Sequence, residues 1–354
     1  MHNPRRRLTP VALLLTATLA LAACGSSSKT PAAGGTKSKS SGKVTLRLGY
    51  LPNVTHAPAL VGLQNGTFEK VLGANVDLKT SNYNSGTDET TALLANALDA
   101  AFVGPNPAIN AYQKSNGTLI RIVAGTASGG AFLVVKPSIT SVGDLKGKKL
   151  ATPSLGNTQD VALRAFLKSK GLATDTTGGG DVSIVPQDNS TTVTAFQTGS
   201  IDGAWVPEPY ATKLEDEGGK VLVDEASLWP QGKFVTTNLV VTTKFLADHP
   251  DIVANLVTGL ADSIDLIHKD PAQAEELVSK RIGTDSGKAL KVSLVKASFK
   301  SITFTLDPIS ASLRKDAVAA KSLGFIDSTD LSKIYSLDIL NSLLTKRGEP
   351  TITP

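Results

Sequence analysis

The side chains of this chain that could hold or transform a small molecule gather in loops rich in hydroxyls, amides and glycine, and none of these loops carries Arg or Lys. The segment Ser154-Leu155-Gly156-Asn157-Thr158-Gln159 is small, donor-rich and runs into a helical pattern. That is the form of an anion cradle, because the first N–H groups of a helix lack intrahelical partners and its dipole favours negative charge. It lacks the Gly-Lys-Ser/Thr ending of a nucleotide-phosphate loop, so nucleotide binding is not expected. Pro52, Asn53, Thr55 and His56 lead into an apolar helix at 57–64. Asn53 and Thr55 suit N-capping there, and His56 either donates to a ligand or covers the helix end. Ser85, Gly86 and Thr87, after Asn84, open another helix with donors of the same kind. Gly104, Pro105 and Asn106, followed by Pro107, force an open turn at the end of a strand. Thr126, Ser128 and Gly129 read as a polar turn lining the same cleft. Trp205 is either core or cleft wall, and Glu208 could accept a hydrogen bond from a ligand amine or a loop N–H.

No catalytic constellation accompanies them. There is no Gly-x-Ser-x-Gly, no loop with paired carboxylates, and no Ser, His and Asp that can be placed together. His2, His56, His249 and His268 are scattered without zinc spacing, and Cys24 is the single cysteine, so no metal, cofactor or internal disulfide is expected. An enzyme built on this chain would have to pair His56 with Glu208.

Loops of this kind need strands that end, and helices that begin, at a common rim. Strands are predicted at 44–49, 74–79, 100–103, 119–125 and 131–136, with helices at 57–64 and 87–98 between them. The alternation implies an α/β fold with a largely parallel sheet, whose ligands sit at the C-terminal ends of the strands. The order then restarts, with strands at 149–152, 182–185 and 203–206 and helices at 158–170 and 191–197. The two halves align at constant offset: Thr91-Ala92-Leu93 on Thr194-Ala195-Phe196, and Asp99-Ala100-Ala101-Phe102-Val103 on Asp202-Gly203-Ala204-Trp205-Val206. Two similar α/β lobes are the simplest reading. Helices are predicted at 250–268, 272–281, 286–299, 309–323 and 330–344. Lobe I is then 44–134 with 240–354, lobe II is 135–239, and the chain crosses near 133–137 and 237–241.

The N-terminal segment leads to an expectation for the compartment. Arg5-Arg6-Arg7 precedes an apolar run at 8–21, too short to span a bilayer, which closes on Leu21-Ala22-Ala23-Cys24-Gly25. Residues 1–23 are read as a signal peptide, Cys24 as the acylated first residue of a lipoprotein, and 24–43 as a flexible Ser/Gly/Lys tether. Arg5, Arg6, Arg7, Lys29, Lys37, Lys39 and Lys43 all fall before residue 44 with no acid, so the net charge of +5 becomes about −2 for the remainder. The sequence pI of 9.1 is thus no argument for nucleic acid.

The lipobox, Leu-Gly-Tyr-Leu-Pro-Asn at 48–53, Leu-Asp-Ala-Ala-Phe-Val-Gly-Pro-Asn-Pro at 98–107, Leu-Gly-Asn-Thr-Gln-Asp at 155–160 and Trp-Val-Pro-Glu-Pro-Tyr at 205–210 resemble motifs of one group. These are the ABC transporter substrate-binding proteins for aliphatic sulfonates, taurine and nitrate. The resemblance implies a two-lobe periplasmic-binding-protein type II fold with C-terminal helices, closing on a small organic anion. It implies delivery to an ABC permease and its ATPase from an extracytoplasmic, lipid-anchored monomer, with no nucleic-acid partner. Carried over, 52–57, 104–106, 154–159 and the Trp205/Glu208 region line the cleft. Nitrate, taurine and a thiamine-pyrimidine precursor remain alternative ligands. A sensor lipoprotein and an exported enzyme remain alternative roles, although the Cys-rich motif of the enzymes on this fold is absent.

Overall fold

The computed structural model describes residues 42–354; the signal segment, Cys24 and nearly all of the tether lie outside the described residues. The chain first lays down β1 (Val44–Tyr50), α1 (Ala57–Gln64), α2 (Thr67–Leu72), β2 (Val76–Asn82), α3 (Gly86–Leu94), β3 (Ala100–Val103), α4 (Pro105–Lys114) and β4 (Ile120–Gly129). A second run follows: β5 (Ala131–Val135), β6 (Lys149–Thr152), α5 (Thr158–Ser169), β7 (Ser183–Pro186), α6 (Asn189–Gln197), β8 (Gly203–Pro207), α7 (Tyr210–Asp216) and β9 (Lys220–Asp224). The chain returns through β10 (Val235–Thr242), α8 (Thr243–Asp248), α9 (Pro250–Lys269), α10 (Pro271–Ser286), α11 (Val292–Phe299), β11 (Ile302–Phe304), α12 (Ser310–Ser322) and α13 (Asp338–Arg347).

The strands form two sheets, ordered β11-β4-β10-β3-β1-β2 and β7-β6-β8-β5-β9. Each sheet keeps a parallel trio, β2-β1-β3 in one and β7-β6-β8 in the other. The strands beside the crossings, β4, β5 and β10, pair antiparallel, so each sheet is mixed rather than largely parallel. An antiparallel neighbour needs no crossover helix, which suits a strand whose chain has just arrived from the other lobe.

Burial explains the strand sequences. β3 and β10 are buried along their whole length; β3 reads as an apolar run, whereas β10 carries Thr236, Thr237, Asn238 and Thr242 among its apolar residues. One face of the first sheet packs Leu48, Phe102 and Leu239 against Leu60, Phe68 and Leu256; the other packs Val103 and Val240 against Ile109 and Leu313. In the second lobe Trp205 is fully buried with Leu163 and Phe166, and its indole N–H donates to Glu225 Oε2 at 2.7 Å. Burial, partly offset by the indole donors of Trp205 and Trp229, pushes the Glu225 carboxyl up to about 7.

The crossings are displaced from the expected positions. β5 lies wholly in the second sheet and β10 wholly in the first, so the chain changes lobes at Gly129–Gly130 and within 225–234. Gly129 and Gly130 both have positive φ, 83° and 72°, and a Cβ on Gly129 would lie 2.5 Å from the Ser301 carbonyl oxygen. The predicted helix at 330–344 begins only at Asp338. Before it, Ile122 N–H donates to Ile334 O and Ser336 N–H to Ile122 O, so this stretch is held against the edge of β4.

Candidate functional site

Five helices begin at one small cavity between the two sheets. His56 precedes α1, Ser85 caps α3 and Gly104 precedes α4, all from the first lobe; Asn157 caps α5 and Asn189 opens α6, both from the second. All five residues line the cavity. The N-termini of α1, α3, α5 and α6 present backbone N–H groups, whereas α4 opens with Pro105 and Pro107, which have none, and offers only the Asn106 N–H. All five turn the positive end of a dipole toward the cavity, worth roughly 0.3–1 kcal/mol per helix toward an anion at the surface and up to ~2 kcal/mol when partly buried. No Lys or Arg lines the cavity, and its volume is ≈ 30 Å³. That is room for about two waters or a small headgroup, far below the ~300 Å³ of drug-sized pockets.

Of the predicted residues, Asn53, Thr55, His56, Ser85, Gly86, Gly104, Asn157, Thr158 and Gln159 meet here. His56 is buried, and its Nδ1 accepts from the Leu51 N–H at 3.3 Å. The remaining proton is therefore assigned to Nε2, which makes the ring a neutral donor. Burial without a carboxylate partner lowers its pKa to about 3. Thr55 donates to Asn53 Oδ1, Asn157 Nδ2 donates to Gln159 Oε1, and the Thr158 hydroxyl stands against Gly104 across the cleft. A Cβ on Gly104 would lie 2.5 Å from Thr158 Oγ1, so the absence of a side chain lets the lobes approach this closely.

Other predicted residues fall outside the cavity, each for a visible reason. Thr87 and Ser154 share a hydrogen bond of 2.9 Å across the lobes, which joins the rim rather than lining the floor. Pro52 lines an adjoining outer space, and Leu155 is 44% exposed. Gly156 turns its N–H onto Asp160 Oδ2 at 2.9 Å. That carboxylate also accepts from Thr152 and from Arg164 Nε, so one donor of the expected cradle is consumed inside the loop and Arg164 is committed to a buried pair. Pro105 and Asn106 form the buried first turn of α4, behind the cavity. Thr126 and Ser128 are not in a turn: both belong to β4, with β10 and β11 paired on its two sides. Trp205 is core. Glu208 is buried and accepts from Thr212 N, Thr212 Oγ1 and, across the lobes, Ser298 Oγ, so its carboxylate fixes α7 to α11. Burial, opposed by these donors, raises its pKa.

The cavity also has walls that the sequence did not mark as site residues: Leu51, Pro153, Asn189, Pro207 and Thr236, together with Asn84 and Pro107, which flank the candidate loops. Asn189 had a signal, since the offset that aligns Thr91 with Thr194 maps Gly86, a cavity residue, onto it. Thr236 arrives on β10 from a remote part of the chain, and no local pattern marks it. Outward from the cavity, Tyr83, Asp188, Asn189, Ser190 and Tyr210 enclose a second space of ≈ 30 Å³ that shares Leu51, Asn53 and Asn84 with the first. Asn189 Oδ1 is buried there with no hydrogen-bond partner, and Asp188 Oδ2 accepts from Asn84 Nδ2 at 3.2 Å across the lobes.

Comparison with known proteins places this geometry in context. A family model described as the NMT1-like family matches residues 39–282. The chain is 31% identical over 206 residues to the taurine-binding periplasmic protein of Escherichia coli (strain K12), a match covering 58% of this chain and 62% of that protein. It is 27% identical over 217 residues to a putative aliphatic sulfonates-binding protein of Bacillus subtilis (strain 168), covering 60% of this chain and 62% of the relative. In both cases the match spans less than two thirds of the relative. The alkanesulfonate-binding protein of Xanthomonas axonopodis pv. citri, solved bound to MOPS, superposes with a TM-score of 0.68 at 18% identity, covering 82% of this chain and 97% of that one. This structural likeness establishes the fold and says nothing of the ligand.

Proposed function

Because this chain belongs to the NMT1-like family, we propose that it is the extracytoplasmic solute-binding component of an ABC importer and takes a small sulfonate-type anion between its lobes. The observation that carries the reading is the convergence of five helix N-termini on a cation-free cavity. Such a site holds a compact oxyanion by N–H groups, hydroxyls and the neutral His56, whose pKa of about 3 makes it a weak base toward a nucleophile. The pair an enzyme would need is apart in function: His56 lines the cavity, whereas Glu208 is bonded to Thr212 and Ser298. Capture closes the lobes about Gly129–Gly130 and 225–234, and the closed form is what the permease and its ATPase receive. Cys24, acylated after removal of residues 1–23, tethers the protein to the membrane surface. Cys24→Ser should release it in soluble form.

One feature favours a ligand that also carries an amine. Asn189 Oδ1 is an unmatched acceptor, and Asp188, Tyr83 and Tyr210 stand beside it. An ammonium group there would complete the acceptor and face a carboxylate. Thermal-shift and calorimetric titration with ethanesulfonate, taurine, nitrate and a thiamine-pyrimidine precursor tests both readings, since a ligand stabilises by mass action. Taurine is expected to bind most tightly and ethanesulfonate next. Stabilisation by nitrate or the pyrimidine alone would overturn the ligand class, and consumption of any of the four would overturn the binding-only role.

A further inference from the structure

Beyond the outer space the cleft opens into a groove of ≈ 840 Å³ between α7 of the second lobe and the α10–α11 turn of the first. The two are continuous, sharing Pro52, Asn84, Ser190 and Tyr210. Three lysines line the groove: Lys213 on α7, and Lys288 and Lys291 on the turn. None of the three forms an ion pair with a carboxylate among the described residues.

Two acids, Asp216 and Glu217, also reach the groove, but Lys213 forms no ion pair with either. Its Nζ lies over the Tyr210 ring, 4.7 Å from the centroid, toward the helix N-terminus, as side chains on helices point. A Lys placed four residues before a Glu is the weaker order for a helical ion pair. Asp216 and Glu217, with Lys213 and Tyr210, also face a further space against α6. Lys213 is half-buried, and its pKa is lowered, first by burial and then by Lys288 on the opposite lobe. Closure therefore brings two ammonium groups from different lobes to one groove in which neither is paired with a carboxylate, an arrangement that an anion would turn from repulsive to attractive.

We propose that this groove is a second anion site, in which Lys213 and Lys288 hold one tetrahedral oxyanion between the lobes, whatever anion the deep cavity takes. The site gives the cation-free cavity an electrostatic approach and ties closure to an anion at its mouth.

Selenate is the probe. Crystals grown with selenate, examined by anomalous scattering, are expected to show a peak between Lys213 Nζ and Lys288 Nζ in the native protein and in Thr158→Val, and none there in Lys213→Met. In solution, sulfate at about ten times its dissociation constant, with ionic strength matched by chloride, is expected to raise Tm by about 2 °C. Lys213→Met and Lys288→Met should lose most of that shift, and Thr158→Val should keep it. A selenate peak confined to the deep cavity overturns the second site and leaves the proposed function standing. Peaks at neither place count against both. A peak at the lysines with no sulfate shift in solution marks an ion held only at crystal concentration and also overturns the proposal.

Discussion

Replacing Gly104 by Ala separates the cost of closing the lobes from the cost of folding them. Gly104 has φ −67° and ψ 160°, a conformation open to any residue, so alanine brings no backbone strain. By restricting the unfolded chain it should stabilise the open protein by about 0.4–1 kcal/mol. In the closed form the new Cβ would stand 2.5 Å from Thr158 Oγ1, about 1 Å inside ordinary contact, with the Thr236 carbonyl oxygen at 3.6 Å. Thr158 opens a buried helix and Gly104 precedes another, so neither backbone yields easily, and an overpacked contact costs about 1–3 kcal/mol. The expected result is an unchanged or raised Tm without ligand, and a five- to hundred-fold weaker affinity for the best sulfonate by calorimetry. Thr158→Ala alone should also weaken binding, because it removes a hydroxyl donor worth roughly 1.5–3 kcal/mol to a charged group. The double variant is the decisive measurement. With Oγ1 gone the clash is gone, so Gly104→Ala/Thr158→Ala should bind no worse than Thr158→Ala. Fully additive losses would refute the close approach of these residues in the ligand-bound state.

Three further outcomes follow from the buried ionisable groups. His56 has a folded pKa of about 3 against an ordinary 6.5, so the unfolded chain takes the proton first and stability falls as pH drops below about 6.5, by about 2 kcal/mol at pH 5; His56→Gln should flatten that limb of a Tm-versus-pH curve. Glu225 runs the other way: its pKa of about 7 lies above the unfolded 4.5, so stability is lost as pH rises from 4.5 through 7, by about 3 kcal/mol, and Glu225→Gln should raise Tm at pH 8 relative to the native protein. Arg164→Gln leaves Asp160 buried without its cation and should cost about 3–5 kcal/mol in denaturant unfolding while leaving sulfonate affinity intact; a large affinity loss in the folded variant would show that a guanidinium reaches the anion.

Much of the site was legible because it follows from local rules. A strand that ends in small polar residues and runs into a helix marks a helix N-terminus, and Asn53, Thr55, His56, Ser85, Gly86 and Asn157–Gln159 reach the cavity by that logic, while Gly104 reaches it from what reads as an open turn after a strand. What escaped depends on partners remote in sequence. Glu208 reads as an acceptor for a ligand amine or a loop N–H, and its sequence gives no sign of its third partner, Ser298, which lies 90 residues away. Thr126 and Ser128 looked like a turn because their composition is polar, but β10 and β11 close on both sides of them. Glu89 stands in the first turn of α3, where an exposed acid is ordinary; it is fully buried beside Gly49, and burial raises its pKa well above the usual range. The Asp160–Arg164 pair was at helical spacing throughout, but nothing local said that the whole pair is buried and that Asp160 also takes the Gly156 N–H.

The register of β4 on β10 has a consequence for how the chain folds. Ser128 pairs with Val235, so everything between them, the whole second lobe, is in topological terms the loop of a single β-hairpin. Closing a disordered loop of that length costs about 4 kcal/mol in chain entropy before the first hairpin bond forms. The second lobe removes most of that cost by itself: its own pairing of Phe132 with Asp224 draws the two ends of the insert together, leaving only 129–131 and 225–234 to be spanned. The favoured order is therefore inside out. The insert can fold as a contiguous unit from contacts within its own run of residues, and the first lobe, whose sheet is split by it, then completes its central strands at a lower entropic cost.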